Sequence, residues 1–296
     1  FGDNDGLIDV TVTGGAGGYI YEWSAVDPDG QTITVPADTD GDITGLVAGT
    51  YTLIATDSNG CSNTEIVEIT QNEELTASET ASDFTGQGIS CFGEDDGSIN
   101  LETNGGTGVY EYAWSAVDPD GQSITVPAAD ENGNITGLVA GTYSVLVSDE
   151  NGCEFPIEIE ITQNEELTAQ HTTSEYGIYQ ISCRNEDDGS IELTPTGGTG
   201  IYFYQWSAVD VEGQSIDLTQ DTPTQSDLIA GTYSVIVSDE NGCEFPIEIV
   251  MTQPDEGVEI EETHSDYTGQ GVSCFGDNDG LIDVTVTGGA GGYIYE

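Results

Sequence analysis

The sequence predicts an all-β protein made of tandem immunoglobulin-like β-sandwich domains arranged as an extended rod. Short segments alternate between apolar and polar residues, which is typical of strands with one buried face. Gly, Asn, Asp and Pro mark turns between these segments, and no segment shows the apolar spacing of a helix. About seven short strands in about 90 residues form the pattern of an immunoglobulin-like sandwich.

A repeat of domain size organises the chain. The motif at residues 1–6, Phe-Gly-Asp-Asn-Asp-Gly, returns in related form at residues 92, 184 and 275, in steps of 91, 92 and 91 residues. We expect the chain to be a segment of a longer array, with these domains: 1–72 (first strand missing), 73–164, 165–254 and a partial domain at 255–296. Residues 1–22 are identical to residues 275–296. A three-domain super-repeat and the choice of segment limits both explain this identity.

The second repeat shows the predicted elements in order. Strands are expected at residues 74–80, 98–103, 110–114, 123–126 and 135–138. A hairpin follows, in which a strand led by Tyr143 turns at Asn151-Gly152 and returns after Cys153. Asn-Gly is a strong hairpin signal, because both residues tolerate positive φ. The same hairpin recurs before Cys61 and, slightly altered, before Cys243.

Two aromatic positions recur in each of the first three repeats and predict a packed core. One is a Trp in the third strand, where a sandwich places a central aromatic; the other is a Tyr placed like a tyrosine corner, whose hydroxyl bonds an upstream backbone group. The residues are Trp23, Trp114, Trp206, Tyr51, Tyr143 and Tyr233. The rival interpretation is a ligand groove, and core packing is favoured because each aromatic lies within an alternating strand.

The net charge of −55, with Arg184 as the single basic side chain, excludes several partners. Nucleic acid and anionic membrane surfaces both require a basic face. No apolar run has the length of a membrane-spanning helix, so no membrane insertion is expected. His171 and His264 stand alone, which argues against zinc. No catalytic set of residues emerges, so we do not expect an enzyme.

Acidic turns suggest Ca²⁺ as a possible ligand, although no cofactor is required. Asp and Asn at alternate positions before Gly place oxygen atoms on one side of a loop, as hard cations need. Plain turn chemistry produces the same sequences, and none continues into the twelve-residue loop of a calcium-specific motif. The candidate ligands are Asp3, Asp5, Asp9, Asp27, Asp29, Asp38, Asp40 and Asp42.

Four ordered motifs resemble the SprB-type repeat of Bacteroidetes cell-surface adhesins. They are the segments at residues 91–99, 105–114, 138–145 and 148–153. The resemblance implies tandem β-sandwich domains in an extracellular, outer-membrane-associated gliding-motility adhesin exported by type IX secretion. It supplies no catalytic residues. Arg184-Asn185 departs from the usual Phe-Gly, and residues 221–224 replace an Asp-x-Asp/Asn-Gly turn.

Two functions follow from repetition without specialisation. The first is a structural stalk whose partners are the neighbouring repeats of the same chain. The alternative is an array in which each repeat binds polysaccharide weakly and gains avidity from multiplicity. Candidate contact residues for the alternative are Tyr179, Tyr202 and Phe203.

The six cysteines occur in two contexts, Asn-Gly-Cys and Ser-Cys, and predict disulfides formed outside the cytoplasm. If each domain enters at one end and leaves at the other, the two cysteines of one domain lie nearly a strand length apart, too far for a bond. We therefore expect Cys91–Cys243, a bond across a domain joint. The others, Cys61, Cys153, Cys183 and Cys274, would have partners outside this segment. Cys61–Cys91 with Cys153–Cys183 would need a different strand path, and free thiols are a further alternative.

Overall fold

A computed structural model describes residues 2–35, 40–218 and 221–296. Across these ranges the secondary structure is entirely β, with strands β1 to β22 and no helix. The fold is therefore the all-β class that the alternating sequence predicts. The chain divides into two compact units. One unit holds residues 1–81, 98–136 and 141–160, and the other holds residues 82–97, 137–140 and 161–296.

Among its described residues, the first repeat contains six strands in two antiparallel sheets. The sheets have the strand orders β1-β4 and β3-β2-β5-β6. Ile8, Ile43, Leu46 and Tyr51 form the buried core between them. The strands are β1 (Gly6–Ile8), β2 (Ile20–Val26), β3 (Thr32–Ile33), β4 (Ile43–Leu46), β5 (Gly49–Thr56) and β6 (Ser62–Ile69).

The second repeat contains seven strands, which are β7 (Thr76–Ala81), β8 (Gly97–Asn104), β9 (Glu111–Val117), β10 (Ser123–Ile124), β11 (Ile135–Leu138), β12 (Gly141–Ser148) and β13 (Glu154–Ile161). They form sheets of order β11-β8-β7 and β10-β9-β12-β13. All predicted strands are present. β9 extends three residues beyond the predicted end, and β10 stops two residues short of it, because β10 pairs with β9 only at Ser123 and Ile124.

The third repeat has the same topology, with sheets β14-β15-β18 and β17-β16-β19-β20. Its strands are β14 (Thr168–Thr173), β15 (Gly189–Thr196), β16 (Phe203–Asp210), β17 (Ser215–Ile216), β18 (Thr224–Leu228), β19 (Gly231–Ser238) and β20 (Glu244–Met251). The fourth, partial repeat contributes the pair β21 (Glu259–His264) and β22 (Ile282–Thr287). The predicted domain boundaries and the rod arrangement stay predictions.

The strand that begins at the Gly of the Leu-x-Ala-Gly-Thr segment is the most buried one in each of the first three repeats. Along β19, buried and half-buried residues alternate, with Tyr233, Val235 and Val237 facing the core. Burying one such side chain contributes roughly 1.5–3 kcal/mol. Because the side-chain period is two, a one-residue slip would expose all three of these side chains.

The repeated Tyr is the tyrosine corner that the sequence predicts. Tyr51 and Tyr233 are fully buried, and their hydroxyls donate to the carbonyl oxygens of Val47 and Ile229, each at 2.9 Å. Burial raises the pKa of Tyr233 to about 12. Tyr143 is buried at the equivalent position.

The repeated Trp lies at the edge of the core rather than at its centre. Trp23, Trp114 and Trp206 are half-buried. Each indole N–H donates to a carbonyl oxygen at 2.9–3.0 Å, and the acceptors are Gly41, Gly133 and Thr222. The indole N–H needs an acceptor, which explains why the ring stays near a loop instead of entering the apolar centre.

Candidate functional site

The Asn-Gly-Cys turn has the same buried anchor in all three complete hairpins. We use this name for residues 57–61, 149–153 and 239–243. In the third repeat one oxygen of Asp239 accepts the N–H groups of Asn241 and Cys243, each at 3.0 Å. Its other oxygen accepts the N–H of Thr199 at 2.9 Å, which ties the turn to the Gly-Gly loop, a name we use for residues 197–200 and, in the second repeat, 105–108. Asp57 and Asp149 make the same contacts in their own repeats.

The anchoring amides lower the pKa of Asp57, the N–H of Ala16 first and that of Cys61 next. A lowered folded-state pKa means that this carboxylate stabilises the fold at pH values above its unfolded pKa of about 3.9. That contribution disappears as the pH falls through the folded-state pKa.

We expect Asp57→Asn to destabilise the first repeat at pH 7 and to have a smaller effect as the pH falls below about 4. Protonation of the other carboxylates relieves charge repulsion in both proteins. The difference in stability between the variant and wild type at each pH therefore reports on Asp57 alone. Thermal melting between pH 2 and pH 7 measures it. Asp29→Asn is the matched control, because the Asp29 side chain is exposed. Equal losses for both variants at pH 7 would contradict the anchor role of Asp57.

The second part of the site is the Ser-Cys loop, a name we use for residues 82–91, 174–183 and 265–274. In the loop at 82–91, Ser82 Oγ donates to the carbonyl of Gly88 at 2.7 Å, and a short antiparallel bridge joins Phe84 to Gln87. Thr85 lies at the tip with φ of +51°. Ile89 is fully buried, and its N–H donates to the carbonyl of Thr162 at 3.0 Å. These contacts give the loop a defined shape.

The two parts meet within the second compact unit. Cys91 of the loop and Cys243 of the turn form a disulfide with a Cα–Cα distance of 5.6 Å. This is the pairing expected from the sequence, and it joins cysteines that are 152 residues apart. Because Cys91 is bonded to Cys243, the alternative bond Cys61–Cys91 is not formed.

Asn241, two residues before Cys243, makes three side-chain hydrogen bonds to the Ser-Cys loop. Its amide nitrogen donates to the carbonyls of Phe84 at 3.3 Å and Ser90 at 3.1 Å. Its amide oxygen accepts the hydroxyl of Thr85 at 2.6 Å. Sequence reasoning identified this Asn only as a turn former. The signal for a second role was the invariant Asp-x-Asn-Gly-Cys spacing, which holds the Asn side chain free of its own turn.

The exposure of the six cysteines varies, and the bonded Cys91 is half-buried. Cys243 is buried, whereas Cys61, Cys183 and Cys274 are exposed and Cys153 is half-buried. Within the described ranges Cys91–Cys243 is the one disulfide, so Cys153–Cys183 is not formed there. Partners outside this segment for these four cysteines stay a prediction.

The candidate calcium ligands that the structure describes are not grouped at one metal site. Asp27 closes its own turn by accepting the N–H groups of Asp29 and Gln31, and Asp42 accepts the N–H of Val10 at 2.7 Å. The remaining described candidates, Asp3, Asp5, Asp9, Asp29 and Asp40, are exposed, and Asp38 lies outside the described residues. Among described residues, no group of three or more His, Cys, Asp or Glu side chains is placed to hold a metal ion.

The three candidate polysaccharide contacts lie in different environments. Tyr202 packs against the core of the third repeat, and its hydroxyl donates to the carbonyl of Gly197 at 2.8 Å. Tyr179 is half-buried within a Ser-Cys loop, and Phe203 is 55% exposed.

In the part of the chain that the structure describes, no helix is long and apolar enough to cross a membrane.

These features define a class of protein: tandem β-sandwich repeats with a covalent link between consecutive repeats. The SprB repeat family matches the chain four times, at residues 1–28, 87–119, 178–211 and 270–296. The family model thus matches a part of each of the four repeats, and the resemblance seen in the sequence motifs is confirmed. Among curated proteins, no match is found.

Solved structures with some likeness are also multidomain proteins. One is a tetra-tandem repeat from the extending region of a large adhesion protein, at 16% identity, 90% coverage of this chain, 80% of that chain and a TM-score of 0.27. Another comprises three N-terminal domains of the outer capsid protein Hoc of bacteriophage RB49, at 14% identity, 83% and 90% coverage and a TM-score of 0.37. With such low TM-scores, neither informs the function of this chain.

Proposed function

We propose that this chain is a structural stalk segment of a very large, acidic cell-surface adhesin of the kind used in bacterial gliding motility. The observation that carries the proposal is the Cys91–Cys243 joint, in which a loop of one repeat is bonded to a turn of the next. A covalent link at a joint lets tension pass from repeat to repeat without extending the linker. Such a segment would work outside the cell, on a protein exported by type IX secretion and held at the outer membrane.

Charge supports an extended arrangement of the repeats. Nearly every charged side chain is negative, so two repeats that fold back on each other repel, although salt screens this repulsion beyond about 8–10 Å. Charge of one sign also keeps separate chains apart. A stalk needs no ligand-specific surface, and of the candidate aromatics Tyr202 packs against the core of its own repeat.

Small-angle X-ray scattering of the oxidised chain at physiological salt tests the proposal. A compact chain of this length has a radius of gyration of roughly 19 Å, and we expect a value well above it. A value near the compact figure would contradict the stalk. A glycan array probed with the same chain addresses the alternative: reproducible binding would favour a polysaccharide-binding array.

Calcium binding at the acidic turns is a separate proposal. We expect millimolar Ca²⁺ to raise the melting temperature relative to chelator at matched ionic strength, because bound Ca²⁺ stabilises only the folded state. Mg²⁺ at the same concentration controls for screening of the negative charge. An unchanged melting temperature, or an equal rise with Mg²⁺, would remove calcium from the account.

A further inference from the structure

The Ser-Cys loops of the third and fourth repeats have the same form as the loop that holds the Asn-Gly-Cys turn. In each, the first Ser donates its hydroxyl to the carbonyl six residues later at 2.7 Å, and a backbone bond of 2.6–2.7 Å spans the tip. The loops at 174–183 and 265–274 have this form although no Asn-Gly-Cys turn of the described residues is bonded to them. Their exposed cysteines are Cys183 and Cys274.

The docked loop shows which atoms receive the turn. Asn241 is bound by two backbone carbonyls, of Phe84 and Ser90, and by the Thr85 hydroxyl. The sulfur of Cys243 also lies 3.4 Å from the Ser90 carbonyl. Backbone carbonyls are present whatever the side chain, so every Ser-Cys loop of this form offers them. The hydroxyl is present only where the tip residue carries one.

The turn at residues 57–61 has the form of the docked turn. Asp57 accepts the N–H groups of Asn59 and Cys61, each at 2.9 Å, as Asp239 does in the docked turn. Asn59 and Cys61 are exposed, whereas the docked Asn241 is half-buried and Cys243 is buried. This turn therefore presents the same amide and thiol without a loop to receive them.

We propose that the Ser-Cys loops at 174–183 and 265–274 are docking sites for the Asn-Gly-Cys turn at residues 57–61 of a second copy of this chain. Non-covalent recognition of the Asn side chain comes first and selects which cysteines become bonded. The inference rests on the proposed joining of repeats, but its test reports cysteine pairing, whereas scattering reports shape.

The tip residue sets the strength of each docking site. The loop at 265–274 has Thr268 at the tip, with φ of +59°, equivalent to Thr85. The loop at 174–183 has Gly177 there, with φ of +71°, and so lacks the hydroxyl that bonds the Asn amide oxygen. Cys274 is therefore the preferred partner of Cys61 from another copy, and Cys183 is the weaker one.

The test lets the two loops of one chain compete for the same turn. The full chain is equilibrated in a buffer of reduced and oxidised glutathione, which supplies the oxidant. Two thiols become one disulfide while one glutathione disulfide is reduced to two glutathione thiols, through a mixed disulfide. A Glu-directed protease then releases Cys61, Cys183 and Cys274 on separate peptides, because Glu residues lie between them in the sequence. The ratio of Cys61–Cys274 to Cys61–Cys183 links is measured.

Matched variants isolate the hydroxyl. We expect Thr268→Ala to lower the ratio about five-fold, the equivalent of one neutral hydrogen bond, and Thr268→Ser to preserve it. Gly177→Ser is expected to raise Cys183 links relative to Gly177→Ala by a similar factor. Asn59→Ala is expected to reduce both kinds of link and to leave Cys61–Cys61 links unchanged.

Two results would overturn the proposal. One is a ratio that is the same for the Ala and Ser variants at position 268, since these differ by the hydroxyl alone. The other is a distribution in which Cys61 pairs with every exposed cysteine equally and ignores Asn59→Ala. Both loops are present in each molecule, so a variant that destabilises the whole chain changes both disulfides together. The ratio of Cys61–Cys274 to Cys61–Cys183 links then still reports on the hydroxyl.

Discussion

Replacing both Cys91 and Cys243 with Ser is expected to weaken the attachment of the loop at 82–91 to the Asn-Gly-Cys turn by about 2–5 kcal/mol. The bond closes a long loop, since its cysteines are 152 residues apart. A cross-link that closes a long loop removes the most conformational entropy from the opened state, and this stabilises the closed one. Hydrogen–deuterium exchange at residues 82–91 and 239–243 measures the change, because local opening governs exchange there.

The control for this variant is Cys61→Ser, because Cys61 is exposed. We expect that change to leave exchange at the joint unaltered. The double Ser variant keeps the hydrogen bonds of Asn241, so part of the protection is expected to remain. Full protection without the disulfide would show that tension at the joint is held by non-covalent contacts and would remove the main support for a covalent stalk.

The second large effect is expected from Gly105→Ala in the Gly-Gly loop of the second repeat. Gly105 has φ of +75°, and a Cβ there would lie 1.9 Å from the carbonyl oxygen of Glu74. The backbone must move to relieve this contact. That movement disturbs the bond from the Tyr110 hydroxyl to the Gly105 carbonyl at 2.7 Å. We expect a loss of at least about 3 kcal/mol in the free energy of unfolding of this repeat.

Gly108→Ala distinguishes the cost of a positive φ from the cost of a steric clash in this loop. Gly108 has φ of +85°, but a Cβ there would meet nothing within 4 Å. Its loss is expected to be about 1–2 kcal/mol, the cost of a left-handed conformation alone. Denaturant dependence of hydrogen exchange in β12 measures both variants. Equal losses would mean that the loop adapts and that close packing against Glu74 is not required.

The strand pattern was predictable from the sequence because it is local. Alternation at period two depends on which face of a strand is buried, and each strand carries that information itself. The prediction therefore found β12 and β13 and the turn between them. Tyr51 and Tyr233 were also assigned correctly, since their hydroxyl acceptors lie only four residues upstream.

The ends of β9 and β10 and the position of the Trp rings were less predictable. How far a strand extends depends on where its neighbour stops pairing, which is decided by the sheet. Trp114 alternates with polar residues like a core residue, but its indole N–H reaches the carbonyl of Gly133, 19 residues away. The apolar pattern of the sequence predicts that the ring is buried on one side. It does not predict which carbonyl accepts the indole N–H.

The sequence by itself determined the repeat, the all-β class, the hairpin turns and, on an assumed strand path, the pairing of Cys91 with Cys243. Only the tertiary structure decided what Asn241 does. Its partners, Phe84, Thr85 and Ser90, lie more than 150 positions away in the sequence. In one hairpin, an Asn before Gly is explained fully by the turn it forms. The second role arises because Asp239 already satisfies the backbone N–H groups of the turn, which leaves the Asn amide directed at whatever loop packs against it.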